Sequence, residues 1–131
     1  MNTQTSIVTG TDFICIPTRN FAAAVEFYGT VLGLPCTVEY DRVPGAEFET
    51  GNLTIAVMQS DAFGMEYATN SNPIALQVED THAAKAELES RGVQFAPEVL
   101  DSGVCHMAFF KDPDGNALML HHRYAPRATS D

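Results

Sequence analysis

The sequence is poor in positive charge. Seven Lys and Arg stand against seventeen Asp and Glu, a formal net charge of -10. Such a surface repels nucleic-acid phosphates and anionic lipid, so neither is expected as a partner. A modest preference for cationic partners follows, although solubility alone accounts for an acidic balance. Cysteine is scarce as well. Cys15, Cys36 and Cys105 form an odd set with no CxxC pair, which argues against a disulfide framework or a structural zinc site. All three sit in or near apolar runs, where a free thiol behaves as a small hydrophobe. No apolar run approaches the roughly 18 residues of a membrane span, and the opening MNTQTSIVTG lacks the basic flank and apolar block of a secretion signal. A cytoplasmic location and no membrane partner are expected. No Gly-rich phosphate loop follows a strand, and neither GxSxG nor HExxH occurs.

What is present suffices for one domain spanning 1–131, because apolar residues make up 45% of 131 positions. There is no linker or low-complexity segment apart from a polar N-terminal tip and a short tail, 125–131. A faint repeat runs through the chain. FICIPT reads as a strand, Asn20 offers a helix N-cap, and FAAAVEFYGTVLG sets Val25, Tyr28, Val31 and Leu32 on one helical face, closed by Gly33. Sixty residues later IALQV is a strand, Asp80 or Thr81 caps THAAKAELESR, and Gly92 closes it. Three strands follow each helix: about 36–41, 45–50 and 53–59 in the first half, and about 94–100, 104–110 and 117–123 in the second. The last two are joined by DPDG, a tight-turn signal with Asp112 at its first position, Pro113 at its second and Gly115 near its end. The plan is an α+β fold of two βαβββ modules, about 11–60 and 72–124, with helices near 21–32 and 81–91.

Three stretches, FAAAVEFYGTVLGL, IALQVEDTHAAKAELESRGV and AFFKDPDGNALML, together make the chain resemble the vicinal oxygen chelate superfamily. That group contains glyoxalase I, bleomycin-resistance proteins and extradiol dioxygenases. The resemblance covers about residues 11–124. It implies that the sheets of the two modules curl into a ligand-holding cup, often completed by a homodimer.

Metal-dependent members of that group hold a divalent ion with His or Glu on the first, fourth, fifth and eighth strands. Carried onto this chain, those positions fall on Phe13, on Ala56 (Ile55 if the register slips by one), on Pro73 and on Met119. Phe, Ala and Pro have no side-chain donor, and a thioether suits Cu(I) far better than Zn²⁺, Ni²⁺, Fe²⁺ or Mg²⁺. No metal and no cofactor are expected. A substitute cluster of Cys15, His121 and Cys105 is conceivable, but no spacing supports it. His121 and His122, adjacent on a strand, point to opposite faces. His82 lies near a helix start and His106 at the start of an apolar strand.

Strand alternation assigns Ile14, Ile16, Ile74, Leu76, Leu118 and Leu120 to a helix-facing core. Phe13, Cys15, Ala56, Met58, Met119 and His121 then face the cup. The family hairpin buries the aromatic two residues before Asp-Pro, here Phe110, which turns Met107 and Phe109 inward to the cup. Tyr40, Phe48 and Phe63 are further aromatic candidates. For any one of these, ordinary packing is the plainer account. Glu47 and Glu49 make one face of their strand acidic, an arrangement that is usually solvent-facing. An apolar, sulfur-bearing lining suits a flat or aromatic organic molecule. The expected function is therefore metal-free binding or sequestration of a small aromatic molecule, of the bleomycin-resistance type. The alternative is a glyoxalase-like isomerase, lyase or dioxygenase working at a site other than the family's.

Overall fold

Alternation in FICIPT makes strand β1 (Phe13–Thr18), with Ile16 and Thr18 buried and Phe13 and Cys15 on the other face. The computed structural model describes residues 6–127; the first residues of the N-terminal tip and the end of the tail lie outside the described residues. After β1, the Asn20 side chain caps helix α1 (Phe21–Val25) by accepting from the Ala23 N–H at 3.2 Å. The expected helix over 21–32 does not stay α-helical. From Glu26 to Val31 it widens into a π-helical turn, in which the Leu32 N–H donates to the Phe27 carbonyl at 2.8 Å. The widened turn holds two adjacent buried aromatics, Phe27 and Tyr28. The two rings serve different partners.

Three strands complete the first module: β2 (Cys36–Glu39), β3 (Gly45–Glu49) and β4 (Thr54–Gln59), followed by a short 3₁₀ turn, Ser60–Phe63. The second module repeats the order with β5 (Ile74–Gln77), α2 (Thr81–Ser90), β6 (Leu100–Asp101), β7 (Cys105–Lys111) and β8 (Ala117–Arg123). Asp80 is the cap of α2, accepting from the Ala83 N–H at 3.0 Å. Each module forms a four-stranded sheet, ordered β1-β4-β3-β2 and β5-β8-β7-β6, with the first strand of each pairing parallel to the last. The fold is thus α+β, two βαβββ modules, as the sequence pattern implies.

One strand departs from expectation. Residues 94–100 do not form a continuous strand; the regular pairing with β7 is confined to Leu100–Asp101. Phe95 makes a single bridge to Phe110, and Ala96 donates to the Phe109 carbonyl at 2.9 Å. Pro97 then has no N–H with which to continue the ladder.

The two sheets share one core. Ile16, Phe48, Ile55 and Val57 of the first sheet join Ala108, Phe110, Leu118 and Leu120 of the second in a single buried cluster, with Ile14, Ile74 and Leu76 packed at its margin. The segment Phe21–Val31 is wedged between the sheets. Tyr28 packs on Phe48 at 6.1 Å between ring centroids, while Phe27 packs on Phe110 at 6.4 Å. The Tyr28 hydroxyl donates to Asp112 Oδ2 at 2.7 Å, and burial together with that carboxylate drives the phenol far above its usual pKa.

Asp112, the first residue of the DPDG turn, is a buried node. Besides Tyr28 it accepts from the Asp114 and Asn116 N–H groups and from Asn116 Nδ2. Asn116 Nδ2 also reaches the Pro17 carbonyl at 2.8 Å, and Thr18 Oγ1 donates to Asp114. The turn closes with the Gly115 N–H on the Asp112 carbonyl at 2.9 Å, and Gly115 takes φ 88°, a region where a side chain would be strained. So the turn also bolts the second module to the end of β1.

Candidate functional site

Because the inner faces of both sheets line the shared core, their outer faces turn away from it and from each other. This divides the expected cup lining. The register of the first sheet sets Phe13 beside Thr54 and Glu49, Cys15 beside Ala56, Glu47 and Val38, and Pro17 beside Met58 and Gly45. Phe13, Cys15, Ala56 and Met58 are therefore on one outer face, with Phe13 49% exposed. The second sheet sets Ala75, Met119 and Phe109 in one row and Gln77, His121 and Met107 in the next. These residues form the other outer face. Within one chain the core separates the two groups.

Phe48 does not belong to either group. Expected in the cup, it is fully buried against Tyr28. Alternation on β3 gives the reason: Ala46 and Phe48 are the apolar pair and turn inward, so Gly45, Glu47 and Glu49 turn outward. The acidic face of this strand is the outer face. That reading was available from the sequence, since a strand carries only one apolar set.

Tyr40 also lies on this outer face. Its ring lies over Gly45, where a Cβ would collide with it, and meets Phe63 edge-on at 6.3 Å. Glycine at 45 lets the ring lie against the sheet. The Tyr40 hydroxyl then donates to Glu47 Oε2 at 2.7 Å. Burial, and then the bond and charge of Glu47, push the phenol up to about 12. It remains a donor across the neutral pH range. Glu49 has both oxygens occupied, at 2.9 Å each by Thr54 Oγ1, with Thr37 adding a bond at 3.1 Å. Nearby, the Cys15 thiol points at Met58 Sδ, 3.6 Å away.

The positions at which the fold family implies metal ligands can be tested against this geometry. Phe13 and Ala56 share the outer face of the first sheet. Met119 lies on that of the second, and Pro73 is exposed just before β5. No three His, Cys, Asp or Glu side chains converge among the described residues. Cys15 and His121 lie on the outer faces of different sheets, so they do not form a cluster. This donor set does not fit a hard divalent ion. As expected, His121 and His122 diverge; His122 Nδ1 is 3.2 Å from the Val78 carbonyl.

His106, on β7, lies in a small cluster at the start of α2. It meets His82 edge-on at 5.4 Å between ring centroids and Tyr124 at 4.8 Å, and its Nε2 is 3.4 Å from Asp101 Oδ2. The Tyr124 hydroxyl donates to Asp101 Oδ1 at 2.7 Å. That bond, with the Gly103 N–H, holds the Asp101 carboxyl below its usual range.

Two hollows flank the shared core. One, of about 790 Å³, runs between the wedged helix and the β7–β8 hairpin and includes Val31, Pro73, Phe109 and Lys111. The other, of about 1110 Å³, is a crevice between the edge strands β1 and β5, lined by Ile14, Leu34, Ile55, Ile74, Leu76 and Leu120. Among the described residues no helix is long and apolar enough to cross a membrane.

Known structures repeat this backbone. A glyoxalase/bleomycin resistance protein/dioxygenase from Nocardioides is 23% identical, with a TM-score of 0.72 over 98% of this chain and 93% of that one. An antibiotic binding protein from Streptomyces is 18% identical, with a TM-score of 0.76 over 91% and 99%. A lactoylglutathione lyase from Agrobacterium tumefaciens is 15% identical, with a TM-score of 0.72 over 89% and 96%. No curated protein matches the sequence. The sequence model of one family matches residues 10–120, and with both modules, their order and their hairpin in place, the chain belongs to the Glyoxalase/Bleomycin resistance protein/Dioxygenase superfamily.

Proposed function

We propose that this protein binds a flat, largely apolar organic molecule without a metal ion, in a cup that a second copy of the chain completes. The observation that carries the reading is the composition of the outer faces. They offer Phe13, Cys15, Ala56 and Met58 on one sheet and Met107, Phe109, Met119 and His121 on the other, with no hard donor at any position where the family holds its ion. Apolar walls with few polar groups favour aromatic ligands. The same backbone serves an antibiotic binding protein and a lactoylglutathione lyase. Fold therefore does not choose between binding and catalysis, and the donor set favours binding.

The sheet edges support this assembly. β1 and β5 are edge strands of their sheets, and residues of both line one crevice, with Ile14, Ile74 and Leu76 beside the charged Glu79, Glu87, Arg91 and Arg123. An exposed edge is a template for another strand. Pairing β1 with the β5 of a second copy around a two-fold axis would cover the crevice. It would also run each outer face of the first sheet into an outer face of the second, joining the two halves of the lining.

The test uses protein purified without chelators. Metal content is measured after gel filtration, mass by light scattering, and binding by fluorescence titration with proflavine and anthracene-9-carboxylate. The expected result is a dimer that binds at least one dye equally well with and without EDTA. A retained equivalent of Zn, Ni, Fe or Mn, a monomer at micromolar concentration, or no binding of either dye would overturn the reading.

A further inference from the structure

We propose that Glu47 is the specificity-determining residue of the outer face of the first sheet, and that it selects a flat aromatic ligand carrying a protonated nitrogen. This rests on the binding function proposed above and adds the chemistry of the ligand.

Glu47 sits in the middle row of that face, between Val38 and Ala56, with Cys15 one strand further on. Its surroundings are apolar, and its side chain is half-buried. One carboxylate oxygen, Oε2, is held by the Tyr40 hydroxyl; Oε1 has no partner among the described residues. The contrast with Glu49, one turn of the alternation away, is direct. Glu49 accepts from two threonine hydroxyls that between them reach both of its oxygens, whereas Glu47 accepts from Tyr40 alone.

A ligand that covers this face strips water from Glu47. A neutral ligand would leave Oε1 desolvated and unpaired, which is costly. An ammonium or pyridinium-type N–H would replace the lost water with a charge-assisted bond. An anion would be repelled. Tyr40 fixes the carboxylate in place before the ligand arrives, and stays protonated to do so, because its hydroxyl is pushed up to about 12. The rings of Tyr40 and Phe63 border the same spot and add favourable faces for a cation. The net charge of -10 draws cations to the whole surface but cannot choose a site.

The two dyes separate these contributions. Proflavine and anthracene-9-carboxylate are both planar tricycles, one cationic and one anionic. Titrations run on the wild type and on Glu47→Gln, Glu26→Gln and Tyr40→Phe, in about 0.15 M salt so that long-range attraction is screened. The wild type should bind proflavine about tenfold or more tighter than the anthracene carboxylate, the size of one charge-assisted bond. Glu47→Gln should erase most of that preference by weakening proflavine while the anion binds as well or better. Glu26→Gln removes the same formal charge from the exposed helix surface and should change nothing. Tyr40→Phe keeps the carboxylate but removes the hydroxyl that holds it, and should narrow the preference without erasing it. Four results would overturn the proposal: equal binding of both dyes by the wild type, a preference that survives in Glu47→Gln, an equal loss in Glu26→Gln, or a preference abolished in Tyr40→Phe. The first of these leaves the binding function standing. Failure of both dyes to bind removes both proposals together.

Discussion

The outer faces of the two sheets descend from the same βαβββ plan, and they are not alike. The face of the first sheet carries Glu47 and Glu49 among Phe13, Cys15, Ala56 and Met58, with the Tyr40 ring laid over it. The face of the second carries Met107, Phe109, Met119, Ala75, Gln77 and His121, with the cations Lys111 and Arg123 at its ends and no carboxylate. Their inner faces, by contrast, are interchangeable in kind: branched aliphatics and phenylalanines in one cluster. Packing constrains what faces the core to be apolar and well fitted. The outer faces are free of that constraint, so their polarity can follow the ligand. A repeat keeps its signature inside and loses it outside.

The sharpest test of inside against outside uses two neighbours on β8. Leu118 is fully buried, while Met119 lies half-buried on the outer face. Leu118→Glu puts an unpaired carboxylate into the shared core and should prevent folding, seen as loss of the cooperative melt. Met119→Glu should fold, with a stability loss of no more than about 1 kcal/mol, because water reaches the new charge. Similar losses in the two variants would abolish the distinction between the faces.

A second experiment probes what holds the sheets together. Asp112→Ala leaves the Tyr28 hydroxyl, Asn116 Nδ2 and two backbone N–H groups without their acceptor. The expected cost in chemical denaturation is about 3–5 kcal/mol, the usual effect of breaking a buried charged network on one side. Tyr28→Phe removes one of those bonds and should cost about 1 kcal/mol. If the two substitutions cost the same, Asp112 is not the node.

The strand alternation made most of this legible. Ile14, Ile16, Ile74, Leu76, Leu118 and Leu120 all face the core, and both helix caps, Asn20 and Asp80, make the expected bonds. Three features escaped. The aromatic character of Phe48 suggests a ligand-facing residue, but the Ala46–Phe48 pair marks the inward face of β3. The strand over 94–100 looked continuous because apolar residues surround Pro97; the missing N–H outweighs them. The π-helical turn has no sequence signal of its own, because it answers to two sheets that meet only in the folded chain. For the same reason the division of the cup lining could not be read. Alternation tells which face a residue takes, not where that face points once two modules pack.

The smallest effect concerns the cluster present only in the second module. The Asp101 carboxyl is held below its ordinary value, chiefly by the Tyr124 hydroxyl. A depressed carboxylate contributes stability above its unfolded value of about 3.9 and loses it as pH falls through the lowered one. Asp101→Asn should therefore lower Tm slightly near neutral pH, and the difference should close below about pH 4. A Tm difference that widens on acidification would contradict the assignment.

The node at Asp112 has a consequence for how the chain is made. The helix that follows β1 finds half of its partners, Asp112 and Phe110, more than eighty residues later in the sequence. During synthesis the first module emerges with Phe27 and the Tyr28 hydroxyl still exposed. It cannot complete its core until the last hairpin leaves the ribosome. The two repeats are therefore expected to form a single cooperative unit, late and together, rather than folding one after the other as independent domains do.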